Sequence, residues 1–352
     1  MGSMRVAVVG ATGAVGREMI RILEEREFPL DELILFASAR SEGKRLSFRG
    51  ESHPVRGLDD GWFKGVDLAL VSAGSGIARK IIPRAAAGGT VSVDNSSAFR
   101  MDPGVPLVVP EINPDALGGH RGIVANGNCT AITALMPLAP LHRAFGLRSL
   151  VTSSYQSVSG AGMKGIRELA EQVEKLHGQE ETLGYPDAAA LPVGDVFPRT
   201  IAFNVIPMCE EFDPGGTGFT TEELKMGGEI RRVLGLPDLA VAATAVRVPV
   251  AVGHGVSVYG RFEARVTADG ARETLESASG VRVVDDPSAG AFPTPLDAAG
   301  LDDVLVGRIR QPEDDPNALM LFAVGDNLRK GAALNAVQIA ELLAEASASA
   351  SA

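Results

Sequence analysis

Short apolar runs in the first part of the chain predict strands, because each ends in glycine or in small polar residues. Between several runs, apolar residues recur at intervals of three and four, which indicates amphipathic helices. Strands that alternate with helices predict an α/β fold with a doubly wound parallel sheet. The predicted strands are residues 4–9, 33–37, 66–71, 90–93 and 122–125.

The pattern changes after about residue 147, where strands become longer and more numerous than helices. One helix is predicted to end at about residue 177. A second helix is predicted to begin at a cap formed by Thr220 or Thr221 and to end at residue 234. Residues 178–219 are rich in glycine and proline and predict little regular structure. We expect an α+β region whose sheet has one covered face and a second face that could be a subunit interface. Its predicted strands are 150–157, 244–252, 256–266, 281–284, 304–309 and 319–324.

Composition narrows the classes of function. The formal net charge is −11, which argues against non-specific nucleic-acid binding. No apolar run approaches the roughly 18 residues of a membrane span, and no signal peptide is visible. Two cysteines are too few for a disulfide framework, so we expect a cytoplasmic protein. Histidine, cysteine and acidic residues lack the spacing of zinc or calcium sites, so no metal is expected.

A glycine-rich turn, Gly10-Ala-Thr-Gly-Ala-Val-Gly16, follows the first predicted strand and precedes a helical pattern. Glycines allow the backbone to approach a pyrophosphate, and the helix start supplies N–H donors. A plain strand–helix turn is the alternative. The second predicted strand is followed by Arg40 and Ser41 with no acid at its tip, which favours the 2′-phosphate of NADP. A solvated Arg40 is the alternative there.

Cys129 follows a β-like run and an Asn-Gly-Asn turn, and it begins an apolar helical pattern. The positive end of a helix dipole lowers the pKa of a thiol and favours the nucleophilic thiolate. Cys129 is therefore a candidate nucleophile, with a small buried core residue as the alternative.

A thiol nucleophile needs a base, and His254 is the one histidine of five that glycines frame in a predicted turn. A solvent-exposed turn histidine is the alternative. Arg247 lies at the other end of the same extended run, and Gln156 ends another predicted strand. Glu222 and Lys225 place an acid and a base one helical turn apart.

Together these stretches resemble the aspartate-β-semialdehyde dehydrogenase family, over residues 4 to about 343. Each motif is weak alone, whereas their joint order and spacing are specific. The chain departs from the family pattern at Ala131 and Gly255, where hydroxyl side chains are more usual, and the turn at Gly255 is expected to be looser. The matching stretches are residues 10–16, 95–100, 127–130, 155–162, 204–207, 221–225, 247–250, 253–254 and 325–331.

The resemblance implies a reaction in which the Cys129 thiolate attacks the acyl phosphate of L-β-aspartyl phosphate. Phosphate leaves, a thioester forms, and NADPH reduces the thioester to L-aspartate 4-semialdehyde. This reversible step serves the biosynthesis of lysine, threonine, methionine and diaminopimelate. The resemblance also implies a cytoplasmic homodimer that binds small molecules, with no nucleic-acid or membrane partner.

The resemblance assigns roles to individual residues. His254 is the acid/base and Gln156 orients the reacting group, while Arg247 holds the α-carboxylate and Glu222 the α-amino group. Phosphate would contact Arg100, Lys225 and Asn95. The NADP-binding site would be lined by Gly10, Thr12, Gly13, Ala14, Val15, Arg40, Ser41, Ser72, Ala73, Gly74, Ser159, Gly160 and Asn327.

The expected domains are an NADP-binding domain of residues 4–129, completed by the C-terminal helix 328–347, and a catalytic and dimerisation domain of residues 130–327. Two other functions stay open. One is a related acyl-phosphate reductase, of the N-acetyl-glutamyl phosphate or sugar phosphate type, although Glu222, Lys225 and Arg247 suit a free α-amino acid better. The other is a catalytically inactive NADP-binding paralogue, which we would expect to have lost Cys129.

Overall fold

The computed structural model describes residues 4–184 and 191–350. Its strands are β1 Arg5–Val9, β2 Glu32–Ala37, β3 Arg45–Phe48, β4 Glu51–Gly57, β5 Leu68–Val71, β6 Val91–Asp94, β7 Leu107–Val108, β8 Ile123–Asn126, β9 Leu147–Gln156, β10 Ala240–Arg247, β11 His254–Phe262, β12 Val281–Val283, β13 Val304–Arg310 and β14 Ala318–Gly325. Its α-helices are α1 Ala14–Glu25, α2 Ser75–Ala87, α3 Cys129–Phe145, α4 Met163–Leu176, α5 Thr221–Leu234, α6 Ala268–Glu276, α7 Pro295–Ala298 and α8 Leu334–Ala350.

The chain divides into two compact units. Unit 1 holds the described residues of Met1–Ile132, Gly228–Asp238 and Leu328–Ala352. Unit 2 holds those of Thr133–Gly227 and Leu239–Asn327.

Unit 1 is built on one eight-stranded sheet with the order β3-β4-β2-β1-β5-β6-β8-β7. In this order every pair of neighbouring strands is parallel except the first, β3 with β4, which is antiparallel. Strand β1 is apolar and nearly fully buried, as a sheet with helices on both faces requires. This is the predicted doubly wound fold, a prediction that is confirmed.

Helix α8 contributes to the core of unit 1. Its buried side chains Leu334, Val337 and Ile339 belong to the same apolar cluster as Val8 of β1 and Leu70 of β5. The C-terminal helix therefore returns to the eight-stranded sheet, as predicted. A π-helical turn, Arg329–Ala333, immediately precedes it.

Unit 2 is built on a six-stranded sheet with the order β10-β9-β11-β14-β13-β12. Its two faces differ, because side chains alternate between the faces along a strand. Along β9, Leu150 and Thr152 are 1% and 2% exposed, whereas Val151 and Tyr155 are 53% and 40% exposed. The sheet thus has the one covered face and the one open face that the sequence predicted.

Several strand predictions in this region had wrong bounds, two of them by four residues or more at one end. The strand predicted over residues 244–252 ends at Arg247, because Pro249 lacks the N–H that would continue a ladder. The strand predicted over 256–266 begins earlier, at His254, and ends at Phe262, where its pairing with β9 shifts register.

Two further segments bear on the predictions from the sequence. The hairpin of β3 and β4 was not predicted, because it buries little besides Phe48 and Val55 and so has no clear apolar alternation.

Of residues 178–219, those described hold only the short 3-10 helix Glu180–Gly184, as expected. Residues 185–190 of this prediction lie outside the described part of the chain. Residues 191–202 are nevertheless anchored, since Glu168 and Gln172 of α4 accept four backbone N–H bonds from them.

Within residues 4–184 and 191–350, no helix is long and apolar enough to cross a membrane. The same residues contain no group of three or more histidine, cysteine, aspartate or glutamate side chains placed to hold a metal ion.

Candidate active site

The predicted site residues of unit 1 lie in loops that follow neighbouring parallel strands. Strands β1, β5, β6 and β8 are adjacent in that order, so the loops after them share the carboxyl edge of the sheet, where such folds bind ligands. These loops contain the glycine-rich turn, residues 72–74, residues 95–100 and the turn before Cys129.

The glycine-rich turn has the geometry of a pyrophosphate site. Gly10 has a φ of +87°, and a Cβ there would lie 2.2 Å from the carbonyl oxygen of Ser72. Gly13 is the N-cap of α1 and provides no side-chain cap, which leaves the first-turn N–H groups of the helix oriented towards an anion. The residues present therefore fit a dinucleotide.

The tip of β2 fits the extra phosphate of NADP. The strand ends at Ala37 and is followed by the 3-10 helix Ala39–Ser41, with no carboxylate at the position that would bind ribose hydroxyls. The Thr12 hydroxyl donates a hydrogen bond to Ser41 Oγ at 3.2 Å, which joins this tip to the glycine-rich turn. Arg40 is exposed beside it. The individual cofactor contacts remain predictions.

Cys129 is the first residue of α3 and is partly exposed. Asn128 caps this helix, because its Oδ1 accepts the backbone N–H groups of Thr130 at 2.9 Å and Ala131 at 3.0 Å. The cap places the thiol in the first turn, where the helix dipole favours a thiolate. A partly exposed cysteine at a helix start fits a nucleophile better than a core residue.

The turn that carries Cys129 belongs to a buried polar network. Arg100 donates from Nε to the carbonyl of Asn126 at 2.8 Å, from Nη2 to the carbonyl of Asn95 at 3.0 Å and from Nη1 to Glu229 at 3.1 Å. Glu229 also accepts the backbone N–H of Asn128 at 2.6 Å. The two predicted phosphate residues Arg100 and Asn95 are thus bonded, through this network, to the turn of the nucleophile.

The predicted site residues of unit 2 gather at one edge of its sheet. Gln156 ends β9 and is paired with Arg247, which ends β10. His254 begins β11 and is paired with Gly325, which ends β14, two residues before Asn327. The strand order brings these ends together although the residues lie far apart in sequence.

His254 is fully buried and is the first residue of β11, so the predicted turn was wrong and the alternative of a solvent-exposed histidine is excluded. Its Nδ1 accepts the backbone N–H of Ser157 at 3.1 Å, and since a backbone N–H can only donate, the ring proton of neutral His254 is on Nε2. That Nε2 is buried and has no hydrogen-bond partner among the described residues. Burial, and next the charge of Arg247, lower the pKa of His254 to about 3, which keeps the ring neutral near pH 7.

Arg247 and the Nε2 atom of His254 border the same space. A methyl group built on Gly160 would lie 2.8 Å from Nη1 of Arg247 and 3.6 Å from Nε2 of His254. The Arg247 guanidinium donates to the carbonyl of Ser157 at 2.8 Å and lies 5.9 Å from the centre of the Phe197 ring. Arg247 and Gly160 also line a cavity of about 660 Å³. A carboxylate and a polar reacting group could both be bound here.

Gln156 and Glu222 are buried and bonded to each other, with Gln156 Nε2 3.2 Å from Glu222 Oε1. Glu222 lies in the first turn of α5, which Thr220 caps as predicted, since Thr220 Oγ1 accepts the N–H of Glu223 at 3.3 Å. Lys225, one turn further on, forms an ion pair with Glu210, a partner that the sequence did not suggest.

Asn327 holds the edge of the sheet together. Its Oδ1 accepts the hydroxyl of Ser157 at 3.0 Å and the N–H of Gly253 at 2.9 Å, and its Nδ2 donates to Ser159 at 2.9 Å. Its predicted contact with NADP, like that of Ser159 and Gly160, remains a prediction.

The sequence analysis missed Asn128, Ser157 and Glu229. Asn128 had a recognisable signal, since it directly precedes a predicted helix that begins with Cys129. Glu229 continues the interval of three and four residues begun by Glu222 and Lys225. Ser157 acts through its backbone N–H, which no sequence pattern reveals.

Two protein families match most of the chain. Residues 5–120 match the family described as "Semialdehyde dehydrogenase, NAD binding domain", and residues 138–330 match "Semialdehyde dehydrogenase, dimerisation domain". The aspartate-semialdehyde dehydrogenase of Mycolicibacterium smegmatis is 46% identical over 97% of this chain and 99% of its own length. That of Aquifex aeolicus is 45% identical over 96% of this chain and 97% of its own length.

A solved structure is similar over nearly the whole chain. Aspartate semialdehyde dehydrogenase II of Vibrio cholerae, complexed with ASA, is 43% identical, with a TM-score of 0.91, and the match covers 98% of this chain and 99% of that one. Sequence identity at this level over nearly full length, on a matching fold, shows that this chain belongs to the aspartate-semialdehyde dehydrogenase family.

Proposed function

We propose that this protein is an NADP-dependent aspartate-semialdehyde dehydrogenase. It reduces L-β-aspartyl phosphate to L-aspartate 4-semialdehyde with release of phosphate, reversibly, in amino-acid biosynthesis. The observation that carries the proposal is the partly exposed Cys129 at the capped start of α3, in a chain that matches relatives of this activity over nearly its full length.

Cys129 supplies the nucleophile. Its thiolate forms a bond to the acyl carbon while the bond from that carbon to the phosphate oxygen breaks, so that a thioester remains and phosphate leaves. Arg100 and Asn95, bonded to the same turn through Asn126, are proposed to hold the phosphate, together with Lys225. NADPH, when bound, supplies the hydride that reduces the acyl group.

His254 supplies a polar hydrogen where negative charge develops on the acyl oxygen. A neutral ring with its proton on Nε2 can donate a hydrogen bond to that oxygen in each tetrahedral species, which lowers the barrier to both steps. When the tetrahedral oxyanion re-forms the carbonyl of the aldehyde, the C–S bond breaks and the thiolate leaves with the electron pair, while the proton stays on Nε2. The buried Nε2 without a partner among the described residues supports this role.

Arg247, Glu222 and Gln156 are proposed to select the substrate. The planar guanidinium of Arg247 can bind an α-carboxylate through two parallel N–H bonds, which lysine cannot do. The carboxylate of Glu222 suits an α-ammonium group. Gln156, whose amide is already bonded to Glu222, would orient the acyl group beside it.

The residues of the glycine-rich turn and the β2 tip would hold NADP, with Arg40 and Ser41 on the 2′-phosphate. We further propose that residues 4–129 and 328–347 act as the NADP-binding domain and that residues 130–327 act in catalysis and dimerisation. The open sheet face with Val151 and Tyr155 supports a homodimer built on unit 2. A cytoplasmic location fits a biosynthetic enzyme.

The experiment that tests this function is phosphate-dependent reduction of NADP by L-aspartate 4-semialdehyde, with NAD in parallel. We expect NADPH to form only when phosphate is present and NADP to be preferred over NAD. Oxidation of NADPH with β-aspartyl phosphate and with N-acetyl-glutamyl phosphate then compares the two reductase types. Preference for the N-acetylated substrate would refute the proposed specificity, and absence of all activity in a folded protein would favour the inactive paralogue.

A further inference from the structure

The carboxylate of Glu229 contacts two groups of unit 1 that bear on the proposed reaction. It lies in the second half of α5 and is only 1% exposed. One oxygen accepts the backbone N–H of Asn128 at 2.6 Å, and the other lies 3.1 Å from Nη1 of Arg100. The first contact reaches the residue directly before the nucleophile, and the second reaches a proposed phosphate ligand.

The contact with Asn128 bears on the orientation of the thiol. The side chain of Asn128 caps α3 through two hydrogen bonds to the residues that follow Cys129. Its backbone N–H is fixed from the other side by Glu229. The nucleophile therefore lies in a turn that is held both by the cap and by a buried carboxylate, so that movement of this carboxylate would shift Cys129.

The contact with Arg100 bears on the orientation of the guanidinium. The carbonyls of Asn95 and Asn126 accept two of its N–H groups, and Glu229 accepts a third with a full charge. Charge-assisted bonds of this kind are about twice as strong as neutral ones and have a defined direction. The carboxylate also offsets the cost of burying the guanidinium.

A second residue on α5 holds the backbone of the same segment. Arg232 donates to the carbonyls of Arg100, Asp102 and Val105, with distances of 2.8 Å to Asp102 and 2.6 Å to Val105. Because Glu229 binds the side chain and Arg232 the main chain of Arg100, this part of α5 fixes the residue at both ends.

We propose that Glu229 is a positioning residue of the reaction, which fixes the Cys129 turn and the Arg100 guanidinium in one buried arrangement. It contacts neither the substrate nor the cofactor in this role. The inference rests on the proposed function, in which Cys129 attacks and Arg100 binds phosphate. A role in folding alone is the alternative, and the two make different predictions for kinetics.

The test is the variant Glu229→Gln, which keeps the shape and one acceptor but removes the charge. With semialdehyde and NADP saturating, we expect the KM for phosphate to rise about tenfold and kcat to fall about tenfold, because Arg100 and Cys129 both lose their fixed orientation. The KM for NADP should stay within about twofold, since the carboxylate of Glu229 binds Asn128 and Arg100, to which the proposed function gives no role in binding NADP.

Asp285→Asn is the matched control. The side chain of Asp285 is also buried, and its carboxylate binds an arginine, Arg272 at 2.8 Å, and a backbone N–H, that of Ile309 at 3.3 Å. Ile309 lies near the end of β13, whereas the proposed site lies beside the start of β13, where Leu305 pairs with Val324. We expect this variant to lower the midpoint of thermal unfolding with kcat and every KM within about twofold of the wild type.

Wild-type phosphate-dependent activity is measured first, so that failure of the proposed function is seen separately. Given an active wild type, Glu229→Gln with unchanged kinetics and only a lower unfolding midpoint would overturn the inference. So would a lower KM for phosphate, which would mean that Glu229 restrains Arg100 from its ligand. If Glu229→Gln does not fold, Glu229→Asp is assayed instead. This variant keeps the charge but withdraws it by one methylene, and it should raise the phosphate KM by a smaller factor.

Discussion

The turn that carries Cys129 and the sheet edge that carries His254 differ in how their polar groups are satisfied. Around Cys129, charges are balanced and bonded, with Arg100 held by Glu229 and by two carbonyls. At the edge of the six-stranded sheet, His254 is fully buried, yet its Nε2 has no hydrogen-bond partner among the described residues. The polar groups of the first region bond to one another, whereas the second region has a buried donor without a partner among the described residues.

The difference indicates what each region contributes. A buried donor without a partner costs about 1–3 kcal/mol of folding free energy, a cost that a protein retains where a ligand supplies the missing acceptor. Around the thiol the requirement is a fixed direction of attack, and there a fully bonded network is an advantage. In the proposed reaction, the chain itself positions the Cys129 thiol, whereas His254 keeps a buried donor available for the substrate.

Removing the nucleophile should have the largest effect. We expect Cys129→Ser to lower phosphate-dependent oxidation of aspartate semialdehyde by about 10³-fold or more, because a serine hydroxyl at this position is far less nucleophilic than a thiolate. The midpoint of thermal unfolding should hardly change. Cys209→Ala, at a buried cysteine with no proposed role, is the control and should retain most activity. Comparable activity in Cys129→Ser would remove the basis for treating the two regions as partners in catalysis.

Replacing the histidine should have the next largest effect. His254→Gln replaces the ring N–H with an amide N–H on a flexible side chain that does not keep the position of Nε2, and we expect kcat to fall by about 10²–10³-fold. Binding of NADP, followed by fluorescence titration, should remain within about twofold of the wild type. A kcat that stays within a factor of three would show that the unpartnered Nε2 is a structural accident.

Arg247→Lys tests the carboxylate site with a smaller change. Lysine keeps the charge but loses the fork and the bond to Ser157. We expect kcat/KM for aspartate semialdehyde to fall by about 10–100-fold, mostly through KM, as initial rates over a range of semialdehyde concentrations will show. If kcat falls and KM does not rise, Arg247 contributes to the chemical step and the binding role is wrong.

The neutral state of His254 also predicts a dependence of stability on pH. Burial and Arg247 lower its pKa to about 3, so between pH 6.5 and 3 the unfolded chain takes up a proton that the folded chain does not. The contribution of neutral His254 to the free energy of unfolding is fully present above pH 6.5. It is lost as the pH falls, by up to about 1.4 kcal/mol per pH unit. Urea unfolding from pH 7 to pH 4 should show a shallower loss for His254→Gln than for the wild type. Equal slopes would contradict a buried neutral ring.

Much of unit 1 could be predicted from the sequence because its signals are local. A short apolar run, a glycine turn and a helical pattern follow one another directly in the segment from β1 to α1, and Cys129 directly follows its own turn. The same local reasoning placed His254 in a turn, because it does not detect the pairing with Gly325 that makes this residue the start of a buried strand.

The contacts that complete both regions are long-range. Glu229 is 101 residues from Asn128 in sequence, and Asn327 is 170 residues from Ser157. Side chains that meet across such intervals leave no periodic pattern in a single sequence. The acceptor role of Nδ1 in His254 depends on one backbone N–H direction, which is known only once the strands are paired.

Covalent catalysis by Cys129 is tested most directly by mass analysis of the protein treated with β-aspartyl phosphate in the absence of NADPH. We expect an aspartyl thioester on the peptide that contains Cys129, no such adduct in Cys129→Ser, and its loss with formation of aspartate semialdehyde when NADPH is added. An active enzyme that shows no adduct at Cys129, or carries it on another residue, would refute catalysis through this thiol.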